Sequence, residues 1–198
     1  PEGQNRTGVR SAYVTALARI APGRTGQINL VQGEYAVSAD GSVALTTILG
    51  SCVAACMRDS RAGVGGMNHF LLGEPDPAHQ IRVEDMHRYG IHAMELLING
   101  MMQKGAARTR LRAHVYGGAT IIAAFGGIST ANGDFALRFL KTENIPIGRC
   151  ELGGVGARKV EFVPWEGRAR SFVVEQAPAP IQRSPMLAAG GGGDVELF

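Results

Sequence analysis

The chain has 198 residues, of which 45% are hydrophobic and 19% are charged, and this length fits one domain with a sizeable core. Its formal net charge at pH 7 is only +3, no Lys/Arg block is present, and no apolar stretch approaches the ~20 residues of a membrane span, so neither nucleic-acid binding nor membrane insertion is expected. Three cysteines, an odd number, indicate reduced thiols in the cytoplasm and not a disulfide framework.

The first part of the chain is predicted to be strand-rich. A polar, Gly- and Arg-bearing segment at 1–26 is expected to be a mobile lead-in, and short strands are predicted at 28–31, 34–38 and 43–49. Two apolar runs, 53–58 and 64–72, then flank the turn-rich pentapeptide 59–63, a pattern typical of a β-hairpin. Residues 73–80, with two prolines, are predicted to form a loop.

The second part is predicted to contain both helices. Apolar side chains recur every three or four positions over 85–104, with Asp85 suited to cap the start and Gly105 suited to follow the end. A second helix is predicted at 133–143, capped by Thr130 or Asn132. The remaining strands are predicted at 111–116, 120–125, 147–152, 159–164 and 168–174. Two helices amid short strands indicate an α+β fold with the helices packed on one side.

The end of the chain has a different composition. From residue 176 it is rich in Ala, Pro and Gly, which predicts a flexible tail. Leu197 and Phe198 follow four glycines and could dock to a partner, although disordered tails are more often inert. The expected organisation is therefore a lead-in at 1–26, one domain at 27–175 and a tail at 176–198.

The predicted hairpin brings a cysteine near a histidine. A turn centred near Ser60 and Arg61 places Cys52 directly opposite His69, and opposed residues have Cβ atoms roughly 5 Å apart. A one-residue slip would put the two side chains on opposite faces. An imidazole beside a thiol can take its proton and leave a thiolate that attacks a carbonyl or carboxamide. The alternative is that Cys52 is a small core residue.

Such a site needs further groups. A third side chain normally orients the histidine, and Thr46, Thr47 and Asn68 are the candidates. Gly50 permits close approach of a substrate, and backbone amides of the turn at Gly50, Ser51 and Cys52 could form an oxyanion hole.

No metal or cofactor is expected from the sequence. Cys52 and Cys56 are four residues apart, about 13 Å along a strand, which is too far to share a metal ion. The glycine pairs at 117–118 and 126–127 match neither a dinucleotide fingerprint nor a P-loop, and are more typical of tight turns or close backbone contacts. Cys56 and Cys150 are interpreted as structural.

Two motifs carry a family resemblance. The segments 49–53 (Leu-Gly-Ser-Cys-Val) and 65–70 (Gly-Gly-Met-Asn-His-Phe) resemble the chemoreceptor glutamine deamidase family, CheD. The resemblance spans roughly 28–175 and includes the segments 88–90, 93–99, 116–119, 153–154 and 158–160. It implies an α/β/β sandwich, with Cys52 as nucleophile, His69 as base and a threonine six residues before the cysteine, Thr46, as the third member.

The resemblance also implies an activity. Family members hydrolyse glutamine side chains of methyl-accepting chemotaxis receptors to glutamate and release ammonia, which for this chain implies a thioester on Cys52. The alternative is a binding module that docks to a CheC-type phosphatase or another signalling protein. A cysteine amidase or transglutaminase with other targets would share the chemistry.

Overall fold

The computed structural model describes residues 26–72, 83–121 and 126–174, and in these ranges the chain forms nine strands and two α-helices. The predicted loop at 73–80, the tail at 176–198 and the lead-in up to residue 25 lie outside the described residues. The strands are β1 Gln27–Asn29, β2 Tyr35–Ser38, β3 Ala44–Leu49, β4 Val53–Asp59, β5 Val64–Asn68, β6 Arg112–Gly117, β7 Ile147–Leu152, β8 Ala157–Val163 and β9 Arg168–Val174. The helices are α1 Val83–Gln103 and α2 Gly126–Thr142, with a short 3-10 helix at Arg108–Arg110.

The strands form two sheets. The four-stranded sheet has the order β1-β3-β8-β9, and the five-stranded sheet has the order β2-β5-β4-β6-β7. Two pairings are parallel, β1 with β3 and β6 with β7, and the other pairings are antiparallel. Consecutive strands β3 and β4 belong to different sheets, so the turn between them crosses from one layer to the other.

Strand β4 shows how the layers stack. Its side chains alternate between the two faces of the sheet. Val53, Ala55 and Met57 pack into the core that the helices cover, whereas Ala54 and Cys56 pack into a second core against the four-stranded sheet. The predicted α+β class and the α/β/β layering are therefore confirmed. Within the described residues, no helix is long and apolar enough to cross a membrane.

The hairpin register differs from the predicted one by two residues. Cys56 pairs with Met67 and Asp59 with Val64, and Val53 bridges Phe70. The reason is Asp59, which remains in the strand because its carboxylate accepts hydrogen bonds from the turn amides of Arg61 and Ala62 at 3.0 and 3.2 Å. An ion pair of 2.7 Å between Asp59 and Arg110 holds it from the other side.

Helix α1 is close to the prediction. It begins two residues earlier than predicted and ends at Gln103, and Gly105 follows with a φ of +95°. The amides of Gly105 and Ala106 bond to the carbonyls of Met102 and Met101, which is the Schellman ending that a glycine allows. The apolar stripe is buried against the five-stranded sheet through Met94, Leu97, Ile98 and Met101.

Helix α2 begins seven residues earlier than predicted, at Gly126, so Asn132 lies inside the helix and does not cap it. The predicted strand at 120–125 is not formed at Thr120 and Ile121, and residues 122–125 lie outside the described residues. The double glycine at 126–127 suggested a turn, and this hid the true start of the helix.

Candidate active site

The turn that carries Cys52 is held by its carbonyl groups. The carbonyl of Gly50 accepts a hydrogen bond from the amide of Ala119, and that of Cys52 from the amide of Gly118, both at 2.8 Å. The carbonyl of Ser51 accepts from the side chain of Asn132 at 2.9 Å. All three carbonyls are therefore directed to the scaffold, and the turn is fixed where it crosses between the sheets.

Gly117 makes this arrangement possible. Its φ is +116°, and a Cβ atom built on it would lie 2.2 Å from the carbonyl oxygen of Cys52. No other residue type fits that approach, because both the backbone conformation and the space require a hydrogen in place of a side chain. The pair 117–118 thus marks a close backbone contact, as the sequence indicated.

Asn132 links the cysteine turn to the chain after the histidine. Its side chain is fully buried, its amide group donates to the carbonyl of Ser51, and its oxygen accepts from the amide of Leu72 at 2.9 Å. Leu72 is three residues beyond His69. Sequence reasoning missed this role because an asparagine near a helix start is also a common cap.

His69 is held by a threonine hydroxyl. Thr47 Oγ1 lies 2.8 Å from His69 Nδ1 and also 2.8 Å from the carbonyl oxygen of Leu30. A hydroxyl has one proton, and a carbonyl can only accept. Both contacts are satisfied together when Thr47 donates to Leu30 and Nδ1–H of His69 donates to Thr47. This tautomer leaves Nε2 with a lone pair able to take a proton.

The Nε2 atom of His69 is buried and has no hydrogen-bond partner. The residue as a whole is only 6% exposed, and burial lowers the pKa of His69 to about 4. At neutral pH the imidazole is therefore neutral, which is the form that accepts a proton. An unpartnered buried nitrogen has a desolvation cost, so a reacting group that bonds to it there gains more than it would in water.

We expect this buried imidazole to make stability depend on pH. Between the ordinary value of 6.5 and the lowered pKa of His69 of about 4, the unfolded chain binds a proton that the native chain does not. The free energy of unfolding should therefore fall as the pH decreases through this window, by roughly 3 kcal/mol from this residue. Urea denaturation between pH 4 and 7 measures it. Wild type and His69→Gln with parallel pH dependence would contradict the assignment.

Thr46 and Thr47 point to opposite faces of β3. Thr47 shares its face with Leu45 and Leu49, which pack between the two sheets. The Thr46 hydroxyl instead bonds to Gln27 at 3.4 Å, the Ile28 carbonyl at 3.5 Å and Asn29 at 3.3 Å. The expected contact between Thr46 and the imidazole is not formed, and Thr47 makes it. Strand β3 reads Ala-Leu-Thr-Thr-Ile-Leu and has apolar residues on both of its faces. The sequence pattern therefore could not show which of the two threonines points toward the imidazole.

Asn68, the third candidate, faces away from the site. Its side-chain oxygen accepts from the amide of Ala55 at 2.9 Å, and its amide group contacts the Ala93 carbonyl at 3.2 Å and the Met94 sulfur at 3.4 Å. Neighbouring strand residues alternate in direction, so Asn68 joins the sheet to α1 while His69 faces the inter-sheet core.

Cys52 is 9% exposed and belongs to the core between the sheets. The observed register, continued by one residue from the Val53–Phe70 bridge, places Cys52 opposite Leu71, two positions from His69, and a shift of two keeps both side chains on one face. The Sγ atom donates to Oε1 of Gln32 at 3.5 Å, a contact that sequence reasoning did not foresee. Gly50 lies beside it, and a Cβ there would be 2.8 Å from the side chain of Ile121.

The other cysteines lie elsewhere. Cys56 is buried in the inter-sheet core, where burial raises the pKa of its thiol, and Cys150 is exposed on β7. In the described ranges, no group of three or more His, Cys, Asp or Glu side chains is arranged to hold a metal ion.

A family model and two named relatives both indicate the CheD family. A family model described as CheD chemotactic sensory transduction matches residues 71–171. A protein of Caulobacter vibrioides named probable chemoreceptor glutamine deamidase CheD is 47% identical over 181 residues, which cover 89% of this chain and 96% of that protein. The protein of the same name from Agrobacterium fabrum is 53% identical over 177 residues, covering 87% and 96%.

Solved structures are similar only in part. Bacillus licheniformis hypothetical protein YfiH matches with a TM-score of 0.39 and 12% identity, covering 59% of this chain and 49% of that chain. A DUF152 protein of Neisseria meningitidis matches with a TM-score of 0.38 and 12% identity, covering 61% and 52%.

Proposed function

This chain belongs to the CheD family of chemotactic sensory transduction proteins, and on that premise we propose that it is a hydrolase that deamidates glutamine side chains of chemoreceptors. In this proposal Cys52 is the nucleophile, His69 is the base and Thr47 orients the imidazole. The observation that carries the proposal is the pairing of His69 Nδ1 with Thr47, which leaves a lone pair on the buried, unpartnered Nε2, while Cys52 lies in the core between the same two sheets.

The first half of the reaction forms a thioester. His69 Nε2 takes the proton of the Cys52 thiol, and the thiolate attacks the carboxamide carbon of the substrate glutamine. The carbonyl oxygen becomes negative and is stabilised by backbone amides of the turn that contains Gly50 and Ser51. The protonated imidazole then gives its proton to the departing nitrogen, so that ammonia leaves and the acyl group remains on sulfur.

The second half releases the product. Water enters the position vacated by ammonia, His69 takes one of its protons, and the resulting hydroxide attacks the thioester carbon. The carbon–sulfur bond breaks, the proton returns to Cys52, and the substrate residue is left as glutamate. One amide thereby becomes one carboxylate, and the added negative charge changes the local electrostatics of the receptor helix.

Mass spectrometry of cytoplasmic receptor domains incubated with the full chain tests the proposal. Conversion of an amide to an acid adds about 1 Da, and peptide mapping identifies the glutamine that changes, in step with ammonia release. Cys52→Ala serves as the matched control. An unchanged receptor mass under conditions in which the wild type is folded would refute the proposed activity.

A comparison of the two threonines tests the orienting role. We expect Thr47→Val to lower kcat by roughly 10- to 100-fold, because the imidazole loses the group that fixes its tautomer and direction. Thr47→Ser should restore most of the rate, since it keeps the hydroxyl. Thr46→Val should have the smaller effect. The reverse order would return the role to Thr46, as the family resemblance implies.

Location and a second partner are also proposed. None of the three cysteines, all of which lie within the described ranges, forms a disulfide bond, which is consistent with action in the reducing cytoplasm. Docking to a CheC-type phosphatase stays a prediction from the resemblance. Co-purification of the wild type and Cys52→Ala with such a phosphatase would measure docking separately from catalysis.

A further inference from the structure

The loop between β1 and β2 is fastened to the backbone of His69. The amide of Gly33 donates to the His69 carbonyl at 2.8 Å, and the amide of His69 donates to the Glu34 carbonyl at 2.9 Å. Within the loop, the Glu34 carboxylate accepts from the amide of Val31 at 3.0 Å. These bonds continue the β2–β5 ladder by one residue, so the backbone next to Gln32 is held by the backbone of His69, which directly follows β5.

The side chain of Gln32 reaches from this loop to the nucleophile. Gln32 is an exposed residue, yet its Oε1 atom accepts a hydrogen bond from Cys52 Sγ at 3.5 Å. Holding a long polar side chain in one position has a cost in rotamer entropy. The carboxamide thus stands where the buried thiol meets solvent, which is the side from which a substrate must come.

A carboxamide suits a sulfur atom whose charge changes during a reaction. Its oxygen accepts from a thiol, and its NH2 group donates to an anion. Half a turn about the last side-chain bond exchanges the two at the same place. Gln32 can therefore accept a hydrogen bond from the neutral thiol before proton transfer. After proton transfer it can donate one to the negative charge on sulfur or on the tetrahedral oxygen.

We propose that Gln32 is a catalytic residue of this site, whose carboxamide accepts from the Cys52 thiol at rest and donates to the negative charge that develops on attack. The inference rests on the proposed deamidase function and adds a side-chain donor to the backbone amides of the cysteine turn. No bond is made or broken at Gln32 itself. Its contribution lies in kcat, because the donated hydrogen bond exists only once charge has formed.

Two variants of the full chain separate the donor from the shape of the side chain. Gln32→Met keeps the length and removes the donor, so we expect kcat to fall about 100-fold with KM changed by less than about twofold. Gln32→Glu keeps the shape, cannot donate when ionised and adds a negative charge beside the sulfur, so kcat should fall further. Val31→Ala, an exposed residue of the same loop, is the matched control and should keep the wild-type kcat.

A second measurement does not depend on the substrate. Alkylation of Cys52 by iodoacetamide is followed across pH by mass spectrometry of the cysteine peptide, and Gln32→Glu should move this curve to higher pH because like charge opposes thiolate formation. If Gln32→Glu shifts the alkylation curve but the wild type deamidates no receptor, the proposed function is refuted and the coupling of Gln32 to Cys52 is supported.

Three results would overturn the proposal. Both variants could keep the wild-type kcat and alkylation curve, which would make the contact inert. The loss could fall on KM alone, which would make Gln32 a substrate-contact residue. Finally, wild-type protein could gain about 1 Da at Gln32 in a Cys52-dependent manner, which would make this glutamine a substrate of its own site.

Discussion

Replacing Cys52 with alanine is expected to abolish ammonia release and leave the fold almost unchanged. The thiol is the only group in the proposed mechanism that bonds covalently to the substrate, so nothing replaces it. The turn is held by its backbone carbonyls through Ala119, Asn132 and Gly118, and these contacts do not involve the sulfur. Loss of one buried sulfur atom should cost about 1 kcal/mol of stability.

Continuous ammonia assays together with thermal denaturation measure this result. Cys150→Ala is the matched control, because Cys150 is exposed on β7, and it should keep the full rate. Cys56→Ala should also keep its activity, with some loss of stability because that residue is 1% exposed in the core. Activity that survives in Cys52→Ala and disappears in Cys56→Ala would mean that the nucleophile is Cys56.

His69→Ala is expected to lose as much activity as Cys52→Ala. Without the imidazole, nothing in the proposed mechanism takes the thiol proton or protonates the departing ammonia. Members of one proton-transfer unit are not additive, so the double variant should be no slower than either single variant. The fold should tolerate the change, since the loop contacts to residue 69 are made by its backbone.

Single-turnover rates with a receptor peptide, measured for the two single variants and the double variant, test this expectation. Alkylation of Cys52 at neutral pH should also slow in His69→Ala, because no imidazole takes the thiol proton as the sulfur attacks the reagent. If His69→Ala alkylates and turns over like the wild type, another base acts on Cys52 and the proposed pair is incorrect.

Much of the fold was accessible from local patterns. β7 and β9 lie at the predicted residues, 147–152 and 168–174, because each apolar or alternating run ends at clear turn residues. Helix α1 was accessible because apolar residues recur every three or four positions along it, those from Met94 to Met101 being buried, and a glycine follows its end. The start of α2 could not be predicted from local patterns, because Gly126 and Gly133 both lower helix propensity. Glycine is acceptable there because of packing, such as that of Gly133 against Leu152.

The hairpin shows why Cys52 and His69 lie on one face, as predicted, although the predicted register was wrong. The register was wrong by two residues because the hydrogen bonds of Asp59 extend β4 into the predicted turn. Side chains on a strand alternate with a period of two, so an error of two leaves both residues on the predicted face. An error of one would have separated them.

The cysteine and histidine of the proposed mechanism were visible in the chain alone, since a cysteine after a Gly-Ser turn and a histidine seventeen residues later are local features of one hairpin. The side chains that form hydrogen bonds with Cys52 and His69 were not visible in the sequence. Thr47 and Gln32 reach them from a strand of the other sheet and from the loop before β2, across separations of 22 and 20 residues. The face that β3 turns inward depends on which sheet packs against it, because Thr46 and Thr47 differ in no local property. Contact between two layers therefore decides which of two identical side chains meets the imidazole.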